Sequence, residues 1–319
     1  MKALLLFLTG VAAALIIFAD WSRDDVGAGP LPPLLAVRGD QEGVFYRKGG
    51  GEHYLLDIDV PEERSPSLRP VFVWIHGGGW FKGSREDSTT RFKARTLNRA
   101  GFIFVSVDYR LAPDLEGPGA LQPGRVRFPL PHQDAARALV WISHHISAWG
   151  GDPSRIVLAG DSAGGQIAAL LTTRPELLRA MARGARIRGA LLLDAVGLDP
   201  SRMMTREYRL EGEPGFQRMM FNAFGTRSEE RKSPRWDLAS PLRYADRGDP
   251  RFFFVVPWSA PDRFRDARIM AARLGQSISK SSWRVPADHV EVVPLLGNPN
   301  NDMGVTAPAL RFLKRTAGG

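Results

Sequence analysis

Residues 160–165 read Gly160-Asp161-Ser162-Ala163-Gly164-Gly165, and no other stretch restricts the fold of this chain so tightly. The preceding run, RIVLA over 155–159, is short, apolar and β-rich, as a buried strand should be. The following run, QIAALL over 166–171, is dense in helix formers. A strand that becomes a helix through a G-x-S-x-G turn puts its serine on a sharp, strained bend at the carboxyl end of a sheet. Small neighbours let strand and helix approach, and the Ala163 N–H opens a helix, free to donate. The motif alone also fits a glycine-rich strand-to-helix loop, so a catalytic reading needs support elsewhere in the chain.

Composition narrows the setting. At 319 residues the chain suits one large α/β domain better than two small ones. Its 43 Lys+Arg against 34 Asp+Glu give a net charge of +9. The arginines are scattered, with no basic block interleaved with aromatics, which argues against nucleic acid and for a solvated basic surface. The absence of cysteine excludes disulfides, thiolate metal sites and a cysteine nucleophile.

The N-terminus carries a separate signal. Lys2 precedes an apolar run over residues 3–19; as a helix it would reach about 25 Å, short for a bilayer span and long for the core of a signal peptide. Residues 1–19 are thus expected to be a signal peptide or membrane anchor that exports the rest, leaving membrane association through this segment open. Residues 20–42, rich in Gly and Pro, read as a linker, and residues 43–319 as the folded unit.

Along that unit, runs at 52–60, 70–75, 101–107, 188–194, 252–256 and 283–285 read as further strands. The run 70–75 passes directly into His76-Gly77-Gly78-Gly79-Trp80. Three consecutive glycines make sense where backbone N–H groups must face a cavity and a ligand atom must come close to the chain. Such a loop after a central strand, upstream of the 160–165 turn, reads as an oxyanion hole.

Three blocks, HGGGW over 76–80, VDYRLAP over 107–113 and GDPSRIVLAGDSAGG over 151–165, occur in this order and spacing. They resemble those of the α/β-hydrolase esterases of the hormone-sensitive-lipase type and the related feruloyl-esterase-like carboxylesterases. The resemblance covers roughly residues 54–313. It implies an α/β fold with a mostly parallel central sheet, helices on both faces and a small cap insertion, here about 199–238, where Met203, Met204, Phe216, Met219, Met220, Phe221 and Phe224 lie among charges. The inserted stretch 114–127, rich in Gly and Pro, departs from the family pattern and reads as a loop near the mouth of the site.

The resemblance also implies a serine carboxylesterase needing neither cofactor nor metal. Ser162 would be the nucleophile, with the Gly77, Gly78 and Ala163 N–H groups as oxyanion hole. In the family the acid follows the penultimate strand and the histidine follows the last. Those positions hold Asp262 and His289, and of the six histidines only His289 lies in a loop after the last strand. Asp288 adjoins the histidine and Asp302 follows it, while Asp266 falls on a helix and stays open as a substitute for Asp262. A formamidase-type amidase, a non-catalytic ligand receptor and a membrane-surface binding protein remain alternatives to an enzyme acting on small-molecule esters. Oligomeric state and natural substrate are not legible. Trp80 and Phe81 beside the oxyanion loop lead to the expectation of a confined pocket for short acyl or small aryl groups.

Overall fold

The apolar runs assemble edge to edge in a single eight-stranded sheet. The computed structural model describes residues 39–47, 51–204, 214–232 and 234–317. Its strands are β1 (Gln41–Phe45), β2 (Leu55–Asp59), β3 (Arg69–Ile75), β4 (Ile103–Val107), β5 (Gly151–Asp161), β6 (Ile187–Leu193), β7 (Arg251–Pro257) and β8 (Ser282–Val285). They lie in the order β1-β2-β4-β3-β5-β6-β7-β8. β1 and β2 are antiparallel additions at one edge, and the strands from β4 to β8 run parallel.

A parallel sheet needs cover on both faces, and alternation along each strand divides the core accordingly. Val71, Val73, Ile156, Leu158, Ala190, Leu192, Phe252 and Phe254 face one side, together with residues of the helices Leu130–His145, Ser162–Thr173 and Pro261–Arg273. Phe72, Trp74, Val157, Ala159, Leu191, Leu193, Phe253 and Val255 face the other, under the helices Thr90–Arg99 and Thr306–Ala317. Each large side chain buried in these layers contributes about 1.5–3 kcal/mol.

The order also locates the crevice. The chain leaves β3 for β4 on one side and crosses to β5 on the other, so the carboxyl ends of β3 and β5 flank a reversal of winding. That is where open α/β sheets form ligand sites. The glycine loop leaves β3 there, and Ser162 follows β5.

Two elements differ from expectation. β1 begins at Gln41, ahead of the expected domain start at residue 43. Its half-exposed residues carry little apolar alternation, and Gly43, with φ of 66° and its N–H on the Asp57 carboxylate, interrupts the register. The helix Thr90–Arg99 carries no clean apolar stripe to announce it, because its inner face includes Lys93 and Thr90 beside Ala94 and Leu97. The expected export segment (1–19) and most of the linker (20–42) lie outside the described residues. Among the described residues no helix is long and apolar enough to cross a membrane.

Candidate active site

The bend after β5 is built by exclusion of side chains. A Cβ on Gly164 would lie 2.1 Å from the Ile75 carbonyl oxygen and 2.4 Å from that of His76. Only glycine lets the helix Ser162–Thr173 come this close to β3. Ser162 itself has a φ of 47°, a left-handed conformation uncommon for a non-glycine residue. Its carbonyl accepts the Val196 N–H at 3.1 Å, which ties the strained residue to the loop after β6.

The Ser162 hydroxyl lies 2.9 Å from His289 Nε2, and His289 Nδ1 lies 2.6 Å from Asp194 Oδ2. A carboxylate can only accept, so Nδ1 carries the proton and Nε2 is left to accept from the serine. His289 opens a one-turn helix, His289–Val292, capped by reciprocal bonds between Asp288 and Glu291. Sequence reasoning therefore placed Ser162 and His289 where the structure joins them.

The carboxylate that meets His289 is Asp194, not Asp262. Asp194 directly follows β6, is buried, has a φ of 45° and donates its N–H to the Val255 carbonyl at 2.7 Å. Asp262 instead sits half-buried in the first turn of the helix Pro261–Arg273, and among the described residues its ionic neighbour is Arg265 at 3.9 Å. The reason is where the helix starts. Pro261 opens it four residues after β7 ends, so Asp262 becomes a first-turn acid that complements the helix dipole and never reaches the strand ends. Asp266, the other candidate, is buried one turn on and pairs with Arg202. Asp194 escaped the sequence reading as the last letter of an apolar run. The available signal was that a carboxylate ending a buried strand must find a charged or donor partner.

The glycine loop departs from expectation at one donor. The Gly77 N–H bonds Asp161 Oδ1 at 3.0 Å, and a Cβ on Gly77 would lie 2.1 Å from Oδ2. That N–H is occupied by the carboxylate next to the serine and is removed from the oxyanion set. Gly78, Gly79 and Trp80 follow with φ of 96°, 62° and 63°. Among the described residues no acceptor takes the N–H of Gly78, Gly79 or Ala163. A Cβ on Gly78 would lie 2.1 Å from the Lys82 carbonyl oxygen, so this backbone admits only glycine there.

Buried charge supports the loop from beneath. Burial pushes Asp161 up to about 6, against Lys93, the Gly77 N–H and His289, which favour its ionised form. Burial pushes Lys93 down to about 8, against Asp161 and Asp87. The Lys93 ammonium bonds Thr89 Oγ1 at 2.7 Å and lies 4.6 Å from the centre of the Trp74 ring. On the other side His76 stacks on Tyr109 with ring centres 4.3 Å apart, and the Tyr109 hydroxyl donates to the His76 carbonyl at 2.9 Å. Arg85 joins Asp108 at 2.7 Å and Asp57 at 2.8 Å. His76 is thus a structural residue, its pKa lowered by burial.

Above the loop lies the helix Pro214–Phe224, sewn to the inserted stretch 114–127. The Leu121 N–H reaches Asn222 Oδ1 at 3.1 Å, Asn222 Nδ2 donates to the Pro113 carbonyl at 2.8 Å, and Arg125 donates to the carbonyls of Phe221 and Asn222 at 2.7 and 3.0 Å. Met219 brings its sulfur to the oxyanion loop: a Cβ on Gly79 would lie 2.5 Å from it. Trp80 is buried edge-on against Phe224, with ring centres 4.7 Å apart. Residues 205–213 and 233 of the expected cap lie outside the described residues.

Comparison with known proteins gives a concordant picture. A family model described as alpha/beta hydrolase fold matches residues 72–290. Over 120 residues the chain is 40% identical to carboxylesterase NlhH of Mycobacterium tuberculosis, covering 37% of this chain and 34% of that protein. It is 27% identical over 254 residues to arylacetamide deacetylase of Rattus norvegicus, covering 76% of this chain and 58% of that protein. The matches thus span only about a third of the first of these relatives and little more than half of the second. Among solved structures, esterase B from Lactobacillus Rhamnosis superposes with a TM-score of 0.67 at 19% identity, covering 100% of this chain and 97% of that one. A bacterial heroin esterase superposes with a TM-score of 0.65 at 24% identity, covering 97% and 90%. With its winding reversal, its strained serine and a family match over most of its length, the chain belongs to the alpha/beta hydrolase fold family.

Proposed function

We propose that this chain is a serine hydrolase that cleaves small-molecule carboxylic esters through an acyl-enzyme on Ser162. The observation that carries the reading is the unbroken line from the buried Asp194 carboxylate through His289 to the Ser162 hydroxyl, with contacts of 2.6 and 2.9 Å. A serine hydroxyl is a poor nucleophile near neutral pH and needs such a base.

The steps follow from the geometry. Ser162 Oγ attacks the ester carbonyl carbon while His289 Nε2 takes its proton. Asp194 holds the imidazole in the required tautomer and stabilises the imidazolium that forms. The carbonyl oxygen becomes an oxyanion, for which the Gly78, Gly79 and Ala163 N–H groups are the available donors; each such donor is worth about 2.7–4 kcal/mol. His289 then returns the proton to the leaving alcohol. Water repeats the sequence against the acyl-enzyme and releases the acid and free Ser162. The chemistry calls on no metal or cofactor.

Esters are supported by the names of the carboxylesterase and lipase relatives, while arylacetamide deacetylase, named for an amide, makes amides the rival that the test decides. The seating of Met219 on the oxyanion loop supports short acyl or small aryl groups. Export of the domain, by a cleaved or retained segment at residues 3–19, is part of the same proposal and rests on that apolar run and Lys2. The test is turnover on matched p-nitrophenyl esters of increasing acyl length alongside anilide and N-formyl analogues. Short esters should give the highest kcat/KM, with Ser162→Ala inactive. Faster turnover of the amides would move the assignment to an amidase, and no turnover on any of them would refute hydrolysis.

A further inference from the structure

The catalytic carboxylate in this chain has a second partner, which the reaction as described leaves without a task. Asp194 turns Oδ2 to His289, and its Oδ1 accepts from Arg263 Nε at 2.7 Å. Both contacts are drawn from helix starts: His289 is the first residue of its helix and Arg263 the third of the helix Pro261–Arg273. A cation in a first turn opposes the helix dipole and is ordinarily unfavourable there. Its place is explained by the buried carboxylate it reaches, because a charge at 1% exposure requires compensation.

Resting on the triad reading above, we propose that Arg263 is a positioning residue. It fixes the plane of the Asp194 carboxylate through Oδ1, so that Oδ2 stays in line with His289, and its charge partly neutralises the carboxylate that faces the imidazole. The segment after β7 thus supplies the cation that aligns an acid carried by β6. The same segment carries Asp262, the residue next to Arg263, which plays no part in the contact.

The charged surroundings give the sign of the effect. His289 meets Asp194 from the β6 end and Ser162 from the elbow, and it also feels Asp161 behind the serine. Asp161 is in turn balanced by Lys93. Arg263 is the cation on the Asp194 side; Arg284, from β8, is occupied with the Pro257 carbonyl at 2.9 Å and the face of Phe264. Removing the Arg263 charge leaves the imidazole facing a less neutralised carboxylate. The imidazolium becomes more stable, and the acidic limb of kcat/KM moves to higher pH.

The experiment measures kcat, KM and the pH profile on a short p-nitrophenyl ester for the wild type, Arg263→Gln, Arg263→Lys, Asp194→Asn and the double variant Asp194→Asn/Arg263→Gln. Wild-type active sites are counted with a fluorophosphonate, and variant rates are normalised to folded protein. Arg263→Gln should lower kcat about 10- to 100-fold with KM within about twofold, and should raise the acidic limb by about half a pH unit. Arg263→Lys keeps the charge without the planar Nε donor, so its limb should stay in place while kcat recovers in part. In the Asp194→Asn background Arg263→Gln should cost less than about twofold, since both act through one carboxylate. The inference is overturned if Arg263→Gln is within about twofold of wild type with its limb unmoved, or if its effect multiplies in full with that of Asp194→Asn. If Arg263→Gln does not fold, the Arg263→Lys limb and kcat decide in the same two directions. A wild type that neither turns over the ester nor binds the probe would instead refute the triad reading, and this inference with it.

Discussion

A carboxylate is only as useful as the direction in which its strand end points it. Asp194 and Asp262 lie at adjacent strands of one sheet, yet one bonds His289 and the other, half-buried, has Arg265 beside it. The difference is three or four residues of chain. Asp194 follows β6 at once, whereas Asp262 follows a turn and a helix start. Asp194→Asn should lower kcat by about 10³–10⁴ with KM little changed, as the imidazole loses its tautomer and its stabilising charge. Asp262→Asn should stay within about twofold of wild type, as befits a half-buried first-turn acid with no contact to His289. Steady-state kinetics on a short ester checks both, and the reverse order would restore Asp262. Ser162 and His289 were legible in the sequence because a local motif and a loop position announced them. Asp194 was not, because its role depends on where a neighbouring strand ends. The Gly77 N–H was misassigned for a similar reason: its acceptor, Asp161, is 84 positions away in sequence.

At the scale of elements, the stretch 114–127 and the helix Pro214–Phe224 belong together. No sequence pattern joins them, since their bonds are single polar contacts to backbone across about a hundred residues. The resulting seam continues to Glu229, which accepts from Arg125 at 3.2 Å and from Arg127. Burial raises the Glu229 pKa, but the Thr226 N–H, Arg125 and Arg127 more than offset it and hold the group at about 2. A carboxyl depressed on folding contributes stability that is complete above its unfolded pKa and is lost as pH falls towards the folded one. Glu229→Gln should therefore lower the urea midpoint at pH 7, and the gap from wild type should close between about pH 4.5 and about pH 2. A gap that persists unchanged at the acid end would mean that packing, not charge, holds the seam. The other elements divide the same way. Strands of continuous apolar residues were readable from period and length, whereas the polar edge strand β1 and the Lys93-bearing helix Thr90–Arg99 were not.

Over the whole molecule, the sheet acts as a frame that sets the positions of groups from distant parts of the chain. The winding reversal between β4 and β5 opens the crevice, β3 delivers the glycine loop, β5 the serine, β6 the acid, and the turn after β8 the histidine. The order of these pieces was legible because long buried strands leave strong patterns. Their convergence was not, since it comes from how far each loop carries its side chain past the strand ends. The basic surplus of +9 plays no part in this frame; the charges that matter are the buried few around Asp161, Asp194 and Asp134, the last held by Arg110 at 2.6 Å. The central claim is that this frame activates Ser162, and covalent trapping tests it most directly. The protein, treated with a fluorophosphonate and mapped by mass spectrometry, should carry one adduct, on Ser162, at a rate that falls by orders of magnitude in Asp194→Asn and is unchanged in Asp262→Asn. An adduct on another serine, or Ser162 labelling indifferent to Asp194, would contradict the account.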